Sequence, residues 1–157
     1  MTWQDGPIID CPVRPLKKFV DARGWLAEIF RQDELPESLL PTMGYVSLTY
    51  AGVTRGPHEH REQTDLFVFS SGAFRLYLWD NRSVSPSYRN RHVQDVGEAN
   101  PVAAMIPPGV IHAYRNIGQS DALVFNCPNR LYAGYDRMEP VDEIRYEDMT
   151  HHGLILD

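Results

Sequence analysis

The residues best suited to chemistry sit in two stretches. "GVTRGPHEHREQTDLFVFSSG" (52–72) places His58 and His60 two apart, with Asp65 five beyond, and "IPPGVIHAYRN" (106–116) adds His112. On an extended strand, residues i and i+2 share a face, so His58 and His60 project together. Asp65 is an odd number of positions beyond His60 and joins that face only across a turn or bulge, for which "REQT" is polar enough. Three imidazoles and a carboxylate suit Fe(II), Mn, Ni or Zn, with open positions left for a substrate or O₂. The same residues also suit a polar barrel mouth, hydrogen-bonded to one another and to water. A third use is proton transfer, since imidazole titrates near neutral pH.

Short apolar runs separated by turn material must position these groups. Strands are expected in "GWLAEIF" (24–30), "GYVSLTYAG" (44–52), "DLFVFSSG" (65–72), "AFRLYLWD" (73–80), "VAAMIPPG" (102–109), "IHAYRNIG" (111–118) and "ALVFNCP" (122–128). In "AFRLYLWD", Phe74, Leu76 and Leu78 fall on one face and Arg75, Tyr77 and Trp79 on the other. Gly72 is expected to close the hairpin that follows Asp65. Helical periodicity is weak: "RQDELPESLLPT" (31–42) holds a turn or two, broken by Pro36 and Pro41, and the terminal segment (139–157) reads as a short amphipathic helix or coil. Many short strands at this spacing indicate an antiparallel sandwich or barrel, of which the jelly roll is the commonest at this size.

The 157 residues fit a single domain, 43% hydrophobic and 23% charged, so a real core is available. A net charge of −6 argues against a general nucleic-acid binder, though not against one small anion held by a few arginines. Cys11 and Cys127 lack CxxC spacing and read as free thiols in a reducing compartment. The start "MTWQDGPIIDCPVRP" lacks the basic and apolar regions of a signal peptide, and no apolar run approaches the ~20 residues of a membrane span. A cytoplasmic protein without nucleic-acid or membrane partners is expected.

The spacing of these groups resembles the two motifs of the cupin superfamily. Gly52, His58, His60, Asp65 and Gly72 match the first, with Asp where Glu is usual; Pro107, Gly109, His112 and Asn116 match the second, with Pro101 in place of its leading Gly. The resemblance implies an all-β fold, the cupin double-stranded β-helix form of the jelly roll. A narrower resemblance, to dTDP-4-dehydrorhamnose 3,5-epimerases, runs in order through "DARGWLAEIF" (21–30), "GVTRGPH" (52–58), "DNRSVSPSY" (80–88), "IPPGVIHAY" (106–114), "LVFNCPNRLYA" (123–133) and "DEIRYED" (142–148).

That resemblance implies proton abstraction beside the ketone of a dTDP-4-keto-6-deoxyhexose, with no cofactor. His58 is implied as the base, Tyr132 as the acid and Asp148 as the partner orienting His58. Arg23 and Arg55 are implied as diphosphate ligands, Glu28 as a thymine contact, and His112 as part of the substrate site. Relatives also form homodimers, often by sharing an N-terminal strand, a use that Trp3, Ile8 and Ile9 in the arm (1–20) would suit. The chain departs from the pattern where a lysine thought to stabilise the enolate is replaced by Asp65, and where His60 follows the base, as in the related ketoisomerases. It is also shorter than most epimerases. A divalent metal on His58, His60, Asp65 and His112 would replace the lysine's charge. The alternatives are a metal-dependent cupin enzyme, a dioxygenase or sugar isomerase, and an inactive sugar-binding cupin.

Overall fold

The alternation in "AFRLYLWD" shows how the molecule is layered. In the computed structural model, which describes residues 2–146 and 152–157, Phe74, Leu76 and Leu78 point into the main core and Tyr77 and Trp79 into a second one. A strand buried on both faces must lie between two layers of cover, and this one does.

Thirteen strands are described: β1 (Gln4–Asp5), β2 (Val13–Pro15), β3 (Phe19–Asp21), β4 (Gly24–Leu26), β5 (Tyr45–Thr49), β6 (Thr54–Glu59), β7 (Asp65–Phe69), β8 (Ala73–Asp80), β9 (Asn90–Gly97), β10 (Val102–Ile106), β11 (Val110–Asn116), β12 (Ala122–Asn126) and β13 (Ile144–Arg145). Six form one sheet in the order β1-β9-β8-β11-β6-β13, and five form a second in the order β2-β10-β7-β12-β5. β3 and β4 make a separate antiparallel pair. From β5 to β12 the chain crosses between the sheets at every step except the β8–β9 hairpin, which is the jelly-roll arrangement.

Between the sheets, Phe67 and Phe69 of β7 meet Phe74, Leu76 and Leu78 of β8 and Tyr114 of β11. The outer face of the six-stranded sheet is covered by Trp3, Tyr146, Leu154 and Leu156, which pack against Tyr77 and Trp79. The outer face of the other sheet is covered by Leu16, Ala27 and Ile29 over Leu66, Val68 and Ala103.

Several expectations change. Gly72, at φ +60°, does not close a hairpin, because β7 and β8 belong to different sheets and the turn carries the chain across the sandwich. The run 24–30 keeps only Gly24–Leu26 as strand, and Ile144–Arg145 pairs with β6 instead of entering a helix. The segment 31–42 holds two single 3-10 turns, at Gln32–Glu34 and Glu37–Leu39. Trp3 and Ile8 pack inside their own chain, and β1 pairs in parallel with β9, so this arm is already engaged. Both cysteines are free, and burial pushes the Cys11 thiol up to about 12.

The loop after β8 is pinned by its own acid. Asp80 is fully buried and accepts from Arg82 Nε (2.8 Å), Arg82 Nη2 (2.8 Å), Ser85 Oγ (2.7 Å) and Ser87 Oγ (2.6 Å). Burial alone would raise the carboxyl, but these donors hold it down to about 2. Asp80→Ala is expected to cost roughly 2–4 kcal/mol in chemical denaturation. Because the folded carboxyl titrates below its ordinary value, this contribution is full above about pH 4 and fades as pH falls towards 2. The gap between wild type and variant should therefore narrow in acid.

Candidate active site

The site forms where β6 and β11 pair beneath the start of β7. His112 lies directly across from His58, but the next paired residues are Tyr114 and Arg55, so β6 carries one extra residue opposite Ala113. Such a bulge re-aims side chains. Arg55 and His58, three apart, would face opposite ways on a regular strand; here both line one cavity of about 700 Å³. Gly56 permits the bulge: its φ is +85°, and a Cβ there would sit 2.7 Å from the His112 carbonyl oxygen.

Asp65 reaches the cluster from the opposite sheet, after the turn 61–64, rather than by rejoining the β6 face. Its Oδ1 accepts from Gln63 Nε2 and Asn126 Nδ2, each at 2.8 Å. Its Oδ2 lies 3.0 Å from His60 Nε2 and 3.3 Å from His112 Nε2. Ligand atoms of His58, His60, Asp65 and His112 all fall within 4.8 Å of one another. Burial favours the neutral acid, yet the two imidazoles drive the Asp65 carboxyl well below the usual range.

The three histidines differ. His112 Nδ1 donates to the Val110 carbonyl at 3.0 Å, which fixes its tautomer and leaves Nε2 facing Asp65. His60 Nδ1 meets the carbonyl of Asp142; burial lowers this imidazole's affinity for a proton, but Asp65 and Asp142 more than restore it. His58 is pushed down to about 2, first by burial and then by its histidine neighbours, so it is neutral; its Nδ1 lies 3.9 Å from Glu143 Oε1.

Tyr132 lines the same cavity and is exposed. Arg55 donates to Thr49 Oγ1 (3.0 Å) and the Leu48 carbonyl (2.8 Å), and among the described residues no carboxylate pairs with it. Arg23 and Glu28 do not line the cavity. Arg23 pairs with Asp21 at 2.6 Å on the exposed β3–β4 hairpin, and Glu28 pairs with Arg31 at 3.6 Å. Asp148 lies outside the described residues.

Sequence reasoning overlooked the supports. The Asp142 carboxylate accepts the backbone N–H groups of Arg61, Glu62 and Gln63, each at 2.9 Å, locking the turn between the histidines and Asp65. Glu143 faces His58 while holding Arg145 at 2.8 Å, and Arg130, paired with Glu62, adds charge at the rim. Only the acids at the head of "DEIRYED" hinted at Asp142 and Glu143.

Fold and cavity together define a jelly-roll protein of the cupin type. The family model for dTDP-4-dehydrorhamnose 3,5-epimerase matches residues 6–150, and the chain belongs to that family. Among curated proteins it is 37% identical over 137 residues to the "Probable low-salt glycan biosynthesis epimerase Agl13" of Haloferax volcanii, covering 87% of this chain and 86% of the relative. It is 38% identical over 122 residues to the spore coat polysaccharide biosynthesis protein SpsL of Bacillus subtilis, covering 76% and 79%. The crystal structure of ChmJ, a 3'-monoepimerase from Streptomyces bikiniensis in complex with dTDP-quinovose, shares the fold at a TM-score of 0.80 and 19% identity, covering 97% of this chain and 77% of that one.

The bulge gives a direct structural test. Gly56→Ala should destabilise by roughly 2–4 kcal/mol and displace His58 from His112. Gly52→Ala, also at positive φ (+77°) but with open space around its Cβ, should cost only about 1 kcal/mol. Paired denaturation curves check the contrast.

Proposed function

We propose that the protein is a cytoplasmic isomerase acting on a nucleotide-linked 4-keto-6-deoxyhexose, of the dTDP-sugar type, by moving a proton at a carbon beside the ketone. The observation that carries this reading is one cavity joining a neutral imidazole, His58, to the phenol of Tyr132 and the guanidinium of Arg55, in a chain of this epimerase family.

Each group has a task that its surroundings suit. A base must be unprotonated, as half-buried His58 is; the surroundings that keep it neutral also weaken it as a base, and the Glu143 carboxylate 3.9 Å from its Nδ1 would offset this by stabilising the imidazolium. Tyr132, open to solvent, returns a proton from another side of the cavity. Arg55 offers an unspent positive charge to a diphosphate. By the family resemblance Asp148 is assigned as a second partner for His58.

We further propose a homodimer. The β3–β4 hairpin exposes Phe19, Val20, Trp25 and Leu26, and β5, at the edge of its sheet, exposes Tyr45, Val46 and Leu48, with Tyr50 just beyond it. Burying these surfaces against a second copy would let Arg23 and Glu28 serve the partner's cavity. Sedimentation velocity should give twice the mass of one chain.

Incubation with dTDP-4-keto-6-deoxyglucose in D₂O should place deuterium at C3, at C5 or at both, read by NMR. Tyr132→Phe should lower turnover about 10²–10⁴-fold. Arg55→Ala should raise KM roughly 10–100-fold with a smaller change in kcat. Absence of exchange together with absence of dTDP binding would exclude the sugar-nucleotide reading.

A further inference from the structure

Two buried atoms in the site lack a hydrogen-bond partner, and they face each other: Asp65 Oδ2 and His112 Nε2. The distance between them is 3.3 Å. His112 donates from Nδ1 to the Val110 carbonyl, so its Nε2 is the nitrogen turned towards the Asp65 carboxylate. His60 repeats the arrangement, with Nδ1 on the Asp142 carbonyl and Nε2 3.0 Å from the same Oδ2. Two imidazole nitrogens and a carboxylate oxygen that converge in a buried place need a proton or a cation among them.

The second layer supports the same conclusion. Backbone carbonyls hold the Nδ1 atoms of both histidines, and the amides of Gln63 and Asn126 occupy Asp65 Oδ1, so Asp65 Oδ2, His112 Nε2 and His60 Nε2 (which also meets Gln63 Nε2 at 3.3 Å) are turned inward. Partners of this kind orient metal ligands. Donor atoms bound at about 2.0–2.2 Å and at right angles around an ion lie about 3 Å apart, close to the two separations seen. His58 differs: its nearest acid is Glu143, and it lines the cavity, whereas Asp65 and His112 do not.

We propose that His60, Asp65 and His112 bind one divalent first-row transition ion, with His58 outside the ligand set and an open coordination position towards the cavity. Two imidazoles and one carboxylate suit such an ion better than Mg²⁺ or Ca²⁺. The ion neutralises Asp65 and presents positive charge to the cavity, where a developing enolate oxygen needs it. That second role rests on the isomerase reading; ion binding itself does not.

The test is Co²⁺ titration of chelator-stripped protein without substrate, followed by visible absorption. One equivalent should bind saturably. Asp65→Asn and His112→Gln, shown folded by circular dichroism, should weaken binding about 100-fold or more, while His58→Ala stays within a few-fold of wild type. Proton NMR of the Co²⁺-loaded wild type, which needs no variant, should show two hyperfine-shifted exchangeable imidazole N–H signals. No saturable binding, unchanged binding by Asp65→Asn, or a third such signal would overturn the proposal. Because ion binding is read without turnover, its failure leaves the isomerase reading to the deuterium experiment.

Discussion

The site is organised around one buried carboxylate. Asp65 begins a strand in one sheet, while the histidines it faces come from the other, so its charge spans the join between the layers. An ionised group there is tolerable only if both oxygens are served. Two amides serve one oxygen, and the other faces the Nε2 atoms of two imidazoles. The turn 61–64, the side chain of Asn126 on β12 and the β6–β11 pairing all meet at this one charge.

Much of this was legible in the sequence. The alternation in 73–80 matched both faces of β8, and the strands of 102–106 and 122–126 lay within the apolar runs that signalled them. The spacing of His58, His60, Asp65 and His112 also foretold their meeting. What stayed hidden depends on contacts distant in the chain. β9 (Asn90–Gly97) reads as polar because most of its side chains are only half-buried, and β13 is too short to announce itself. Asp142 has no local signature, since its partners are backbone N–H groups some eighty positions away.

Family membership and local chemistry bear on different parts of the molecule. Relatives named for glycan and polysaccharide biosynthesis match most of this chain in sequence, and the cavity holds an imidazole, a phenol and a guanidinium. Behind the cavity, where the family resemblance implies a lysine, this chain places a carboxylate that faces two imidazoles.

The grip of Asp142 on the turn 61–63 has a consequence for how the protein comes into being. The turn between the histidines and Asp65 is fastened by a residue near the end of the chain, and His60 takes its tautomer from that residue's carbonyl. During synthesis the barrel strands through β12 can assemble while the histidine cluster still lacks its clasp. The cluster is thus completed only once the chain beyond β12 is made, and a chain ending before residue 142 would keep the core between the sheets yet lose this clasp and the Leu154 cover over Tyr77 and Trp79.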